Sequence, residues 1–185
     1  MLKDYIKVFE NIVPQGFCDA LRSEFENSNE WLDTTTSNND VVNKHIRSAM
    51  VICLSHHEVI NRNRETRAKL DSVLFSFAGE AMQQYFDIYP MAQVKKDTGY
   101  DLLRYQTGDF FKTHTDSSEK YNRCVSCSFG INDDYEGGEF AFFDRELTIK
   151  VPKGSAILFP SNFMYPHEIL PVTSGTRYSV VTWFV

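Results

Sequence analysis

The sequence predicts an α+β fold: helices in roughly the first half, then about seven or eight short antiparallel strands forming a sandwich or double-stranded helix of strands, with the helices packed on one sheet. Three observations carry this. Apolar residues before position 95 recur at helical spacing. From Gly99 onward the chain is rich in β-branched and aromatic residues in short runs. Those runs are broken by turn signals at Gly108-Asp109, Asn132-Asp133-Asp134, Gly137-Gly138, Pro152-Lys153-Gly154, Pro160-Ser161-Asn162 and Ser174-Gly175.

In chain order, Phe17, Leu21 and Phe25 follow Pro14-Gln15-Gly16 at intervals of four, which places them on one face of a helix reaching to about Asn27. Between Trp31 and Met50 the run from Thr34 to Asp40 has no apolar period and predicts a loop, with 34–48 as a candidate lid. From Glu58 to Tyr89, Leu70, Val73, Leu74, Phe77, Ala81 and Tyr85 form a stripe of period near 3.6, predicting one long or two broken helices. Residues 1–185 therefore read as a single domain, 1–95 mostly helical support with the lid loop and 96–185 the strand-built core.

Composition narrows the function classes. With 42% hydrophobic residues the chain can bury a core, and 24% charged residues with nine Gly and six Pro argue against disordered or collagen-like chains. The net charge of −6 has the wrong sign for neutralising phosphates, so no nucleic-acid partner is expected. Cys18, Cys53, Cys124 and Cys127 are few for a chain able to build its own core and read as thiols in a reducing compartment. The segment from Met1 to Lys7 carries charges where a signal peptide needs an apolar run, and no window approaches about 18 apolar residues. A cytoplasmic protein without a membrane partner is expected.

The chemistry-bearing residues lie in the second half. In Phe111-Lys112-Thr113-His114-Thr115-Asp116, His114 and Asp116 are two apart, so on extended chain both point to one face. His167, in another predicted strand, can close the other side of the same cavity. Two imidazoles and one carboxylate are the ligand set of non-haem iron(II) oxygenases. A His-x-Asp alone is common by chance, but a further element lies downstream. Arg177 and Ser179 share a strand face, and a buried guanidinium requires an anion, which a carboxylate clamp supplies.

Taken together, Tyr105-Gln106-Thr107-Gly108, His114-x-Asp116, Gly137-Gly138-Glu139, the run Pro152 to Pro160, His167 and the run Pro171 to Arg177 resemble the iron(II)- and 2-oxoglutarate-dependent dioxygenases. Within them the chain is most similar to the prolyl 4-hydroxylase-like branch. The resemblance spans about Gly99 to Val185, with a further likeness in Phe9-Glu10-Asn11-Ile12-Val13 and the first helix. It implies a double-stranded β-helix (jelly-roll) catalytic core over 96–185. It also implies His114, Asp116 and His167 as iron ligands and Arg177 as the residue holding the distal carboxylate of 2-oxoglutarate, these four forming the catalytic set. Tyr105 and Ser179 carry over as further cosubstrate contacts. The implied activity is hydroxylation of a substrate C–H bond using O2, with release of succinate and CO2 and with ascorbate as a reductant. Arg177 stands where collagen-type prolyl hydroxylases carry lysine, so the match is closer to small bacterial and viral-type hydroxylases.

Other features read as structural. Cys124 and Cys127 lie three apart, point to opposite strand faces and read as buried thiols. His45, His56 and His57 read as surface residues, with a place at the active-site mouth as the alternative for His45. Gly137-Gly138 reads as a tight turn, Trp183 shares the face of Arg177 and Ser179 and reads as a core aromatic with lining of the cosubstrate pocket as the alternative, and Arg104 faces away from Tyr105. The substrate reading favours a proline-containing peptide or protein. The alternatives are a small molecule such as a free amino acid, and a metal- or ligand-binding module without turnover.

Overall fold

The computed structural model describes residues 1–36, 41–55 and 64–185. The N-terminal part supplies β1 (Lys7–Phe9), α1 (Gln15–Phe25), β2 (Leu32–Asp33), β3 (Arg47–Ser48), β4 (Met50–Cys53) and α2 (Arg64–Ile88). The remainder supplies β5 (Asp101–Gln106), β6 (Phe110–His114), β7 (Val125–Gly130), β8 (Glu136–Gly137), β9 (Phe140–Phe142), β10 (Leu147–Ile149), β11 (Ala156–Pro160), β12 (His167–Ile169), β13 (Val172–Ser174) and β14 (Thr176–Phe184). A seven-stranded sheet runs β1-β11-β7-β14-β5-β4-β2, a five-stranded sheet runs β10-β9-β12-β6-β3, and β13 pairs with β8 in a short ribbon. All ladders are antiparallel. The fold is α+β, with a double-stranded β-helix core.

Strand alternation builds two cores. On β14, Tyr178, Val180 and Phe184 join Val125, Cys127 and Phe129 of β7 and Leu102 of β5 on the outer face of the large sheet, where the helices cover them. Leu103, Tyr105, Ile157 and Phe159 face inward toward Phe111, Phe140, Phe142 and Ile169 of the small sheet. Each fully buried aliphatic or aromatic side chain contributes about 1.5–3 kcal/mol by leaving water. The inward face also carries polar residues, and there the site forms.

Helix α1 follows Pro14, whose fixed φ suits entry into a helix, and buries Cys18, Leu21 and Phe25. Phe17 of the expected stripe is half-buried against Phe77. α2 is one continuous helix over the described range. It buries Leu74, Ala78, Ala81, Met82 and Tyr85, so the stripe is rotated and Val73 is exposed. Ala78 and Ala81 are small enough to bring the helix close to the sheet. The expected start at Glu58, like His56 and His57, lies outside the described residues.

The expected loop over 31–50 is partly strand. β2 and β3 are two residues each, paired with β4 and β6, too short to show a period in sequence. With β1 and β4, they make the first 95 residues contributors to both sheets as well as helical support. Ten strands follow position 99 rather than seven or eight, because the two-strand ribbon of β8 and β13 adds to the eight in the main sheets. No helix among the described residues is long and apolar enough to cross a membrane.

Candidate active site

Between the sheets lies a cavity of about 240 Å³. His114 ends β6 and Asp116 follows two residues later. His167 opens β12, directly across the ladder from His114. Antiparallel pairing thus joins residues 53 apart in sequence. His114 Nε2 lies 3.5 Å from Asp116 Oδ1 and His167 Nε2 lies 3.7 Å from Asp116 Oδ2. These separations exceed an ordinary hydrogen bond. One ligand atom from each of the three residues falls within 4.8 Å of the others.

The hydrogen bonds behind the rings fix what faces the cluster. His114 Nδ1 is 2.9 Å from the Lys112 carbonyl and His167 Nδ1 is 3.1 Å from the Tyr165 carbonyl. A carbonyl only accepts, so each Nδ1 carries a proton and each Nε2 is the ring atom that faces Asp116. Ser126 Oγ donates to Asp116 Oδ2 at 2.6 Å and also meets Ser161 Oγ at 2.8 Å. Burial pushes the Asp116 carboxyl up, but the His167 and His114 imidazoles and the Ser126 hydroxyl outweigh it and hold the group below the usual carboxylate range. Burial, then the neighbouring His114, pushes His167 down to about 4 against the pull of Asp116, so its ring is neutral at pH 7. Two imidazoles and a carboxylate, each oriented from behind, fit a divalent cation with carboxylate and imidazole preference.

Deeper in the cavity, β14 carries Arg177 and Ser179 on the inward face, as expected. Both are buried, and Arg177 Nη1 donates to Ser179 Oγ at 3.1 Å. The guanidinium carbon lies 5.2 Å from the Tyr105 ring centre and 5.4 Å from that of Phe140. No carboxylate among the described residues pairs with it. Tyr105 sits opposite Arg177 in the β5/β14 register and lines the same cavity.

The family-model match fits this arrangement. Residues 100–185 match the model described as 2OG-Fe(II) oxygenase superfamily. That segment, a little under half of the chain, is similar to the superfamily's members. A PKHD-type hydroxylase of Idiomarina loihiensis is 25% identical over 130 residues, covering 67% of this chain and 59% of the relative. One of a Polaromonas strain is 37% identical over 76 residues, covering 39% of this chain and 33% of the relative. The chain thus spans at most about three fifths of the length of these relatives. Among solved structures, a prolyl hydroxylase of Trichoplax adhaerens in complex with a hypoxia inducible factor oxygen degradation domain peptide superposes with a TM-score of 0.75 at 19% identity, over 97% of this chain and 83% of that one. The viral collagen prolyl hydroxylase of Paramecium Bursaria Chlorella virus-1, in its 2OG complex, gives 0.66 at 16% identity, over 97% and 95%. At these identities the structural likenesses establish the shared fold. The superfamily's name states its requirements, iron(II) and 2-oxoglutarate, and an oxygenase also consumes O2.

Within this 2OG-Fe(II) oxygenase fold, several residues fall where the sequence did not point. Trp183, for which the sequence favours core over pocket lining, lines the cavity, because it continues the alternation of Arg177, Ser179 and Val181. Its ring lies 3.6 Å from the Arg123 guanidinium carbon. Cys124, expected to be buried, is exposed just before β7, while Cys127 is buried with its thiol pushed far up. Burial also pushes Cys18 up to about 11 and Cys53 up to about 12, so none of these three is a ready thiolate at neutral pH. His45 is exposed and does not line the cavity. Arg104 faces away, 4.4 Å over the Trp31 ring. Ser126 and Ser128 were legible as polar positions alternating within Val125-Ser126-Cys127-Ser128-Phe129, whereas Arg47 lies in a stretch without any period.

Proposed function

We propose that this chain is an iron(II)- and 2-oxoglutarate-dependent dioxygenase that hydroxylates a substrate C–H bond, with a prolyl residue of a peptide or protein as the favoured substrate. One observation carries the reading. Arg177, a buried guanidinium without a carboxylate partner among the described residues, shares one cavity with a His-Asp-His cluster whose Nε2 and carboxylate atoms converge. A buried cation without an anion is costly, and a dicarboxylate bound between Arg177 and a metal removes that cost.

In this reading His114, Asp116 and His167 hold iron(II), with Lys112, Tyr165 and Ser126 fixing their orientation. Arg177 binds the distal carboxylate of 2-oxoglutarate, Ser179 aligns the guanidinium, and Tyr105 closes the opposite wall. Iron(II) with 2-oxoglutarate and O2 supplies the oxidation, in which 2-oxoglutarate becomes succinate and CO2 while a substrate carbon gains a hydroxyl. Phe111, Phe140 and Phe159 keep water from the inner wall. Ascorbate is expected to serve as an external reductant that keeps iron in the ferrous state. The peptide preference draws support from the peptide complex of the Trichoplax neighbour and from the hydroxylase names of the sequence relatives. Strands β1 to β4, which complete both sheets, support treating 1–185 as one catalytic domain. The four free thiols are in keeping with a reducing, cytoplasmic setting.

The test is succinate release from 2-oxoglutarate with iron(II), ascorbate and O2, with and without proline-containing peptides, comparing wild type with His114→Ala and Arg177→Ala. Peptide-stimulated turnover lost in both variants upholds the reading. Basal turnover that no peptide stimulates moves the substrate to a small molecule. Iron binding with no succinate at all overturns the enzyme reading in favour of a binding module.

A further inference from the structure

The cavity has two ends. Arg177 and Trp183 sit on the same face of β14 six residues apart, about 20 Å at strand rise. At the Trp183 end, two more guanidinium groups line the wall. Arg123 lies between aromatic rings, its guanidinium carbon 3.6 Å from the Trp183 ring centre and 4.8 Å from that of Tyr121, and Nη1 donates to the Asp116 carbonyl at 3.3 Å. Arg47 of β3 lies 4.5 Å over Phe111, which itself stacks on His114 at 3.5 Å, and Nη1 donates to the Thr35 carbonyl at 3.2 Å. Arg123 therefore touches the cluster at the Asp116 backbone, and Arg47 reaches it through the Phe111 ring.

Their polar atoms are incompletely used. The Nε atoms of Arg47 and of Arg123 are both buried without a hydrogen-bond partner. Asp101 lines the same cavity, and its charge acts on Arg123. Arg47 and Arg123 face one concave, partly desolvated wall, where their like charges oppose one another. Such a pair is stabilised by an anion seated between them, and a guanidinium fork matches a carboxylate in particular.

We infer that Arg47 and Arg123 form a carboxylate-recognising clamp at the substrate end of the cavity, so that the oxidised molecule carries a carboxylate near the carbon that is hydroxylated. This rests on the hydroxylase reading above and narrows its substrate class. The carboxylate has two possible sources, an acidic side chain beside the target residue of a peptide or the α-carboxylate of a free amino acid. Arg177 stays reserved for the cosubstrate at the far end.

The experiment uses two matched pairs of probes, acetyl-Gly-Pro-Glu-amide against acetyl-Gly-Pro-Gln-amide, and L-proline against L-prolinamide. Stimulation of succinate release is measured for the wild type, Arg47→Gln, Arg47→Lys and Arg123→Gln. The clamp predicts that the carboxylate member of at least one pair is favoured about tenfold or more in KM, that this preference falls toward unity in both Gln variants, and that Arg47→Lys restores part of it. Preference in the peptide pair assigns the carboxylate to an acidic side chain; preference in the proline pair assigns it to the free α-carboxylate. Equal stimulation within both pairs overturns the clamp. Should the wild type show no turnover, the hydroxylase reading fails and the clamp is judged by binding of the same four probes, read from quenching of Trp183 fluorescence. Carboxylate-dependent quenching weakened by Arg47→Gln upholds it, and no difference between paired probes, with no quenching by any of them included, overturns it.

Discussion

His114 and His167 are direct partners across the β6/β12 ladder, their rings 4.3 Å apart at the centroids, and each ring is held from behind by the carbonyl two residues before it. This pairing makes the cluster a property of the sheet rather than of a loop. A strand end supplies His114, its partner strand supplies His167, and only Asp116 depends on chain beyond the ladder. Ser126 on the facing sheet then anchors Asp116.

Ser126→Ala should therefore weaken metal binding without disturbing the fold. The substitution removes the 2.6 Å hydrogen bond that orients Asp116, and outer-shell losses of this kind cost about 10- to 100-fold in metal affinity. Anaerobic titration with iron(II) or cobalt(II), followed calorimetrically, measures it. An unchanged affinity would show that Asp116 is oriented by other contacts.

Acid should destabilise the metal-free protein in a defined window. His167, ordinarily near 6.5, is held at about 4 in the fold, so between those values the unfolded chain binds a proton that the folded chain refuses. Stability then falls as pH drops from 6.5 toward 4, by up to about 1.4 kcal/mol per pH unit for one proton. Asp116, held below its usual range, acts in the same direction at lower pH, its contribution present above about 3.8 and lost on further acidification. Urea unfolding in chelator between pH 7 and 4.5 tests this, and His167→Gln should flatten the slope. A wild-type slope equal to that of the variant would contradict the buried neutral ring.

Arg177→Met should separate stability from cosubstrate binding. Without 2-oxoglutarate the variant should melt at the same temperature as wild type or higher, because a buried cation lacking an anion is replaced by an apolar chain of similar length. Added 2-oxoglutarate should raise the melting temperature of metal-loaded wild type but not of the variant, whose KM for 2-oxoglutarate rises about 10- to 100-fold. Arg177→Lys should fall between. Equal ligand-induced shifts in wild type and Met variant would remove Arg177 from the cosubstrate end.

How much of this was legible beforehand depends on period. Residues fixed by strand alternation, namely His114 with Asp116 and Arg177 with Ser179, were readable because two positions on extended chain mean one face. The same rule, carried four residues further, makes Trp183 share that face, and the cavity is where it lies; core is the favoured alternative on aromatic composition alone. Arg123 and Arg47 were out of reach. Arg123 precedes β7 in irregular chain, and Arg47 reaches the cavity only because a two-residue strand pairs with Phe110 and Phe111, a long-range contact that leaves no local pattern. The turn at Gly137-Gly138 was legible, but not its contact with Arg177.

That contact yields the last prediction. Gly138 has φ of +68°, and a Cβ there would fall 2.9 Å from Arg177 Cδ and 3.0 Å from Val172 Cγ2. Gly138→Ala thus acts in two ways. The left-handed backbone costs a residue with a Cβ about 1 kcal/mol, and the methyl pushes the buried stem of Arg177 away from its position beside Ser179. The KM for 2-oxoglutarate should rise while iron(II) affinity holds, since no candidate metal ligand touches this turn. Gly79→Ala is the control: Gly79 lies on α2 with nothing within 4 Å of a new Cβ, so that substitution should stabilise by about 0.5–1 kcal/mol through helix propensity and leave KM unchanged. If Gly138→Ala lowers stability yet leaves the cosubstrate KM at its wild-type value, the glycine serves the turn alone and the position of Arg177 does not depend on it.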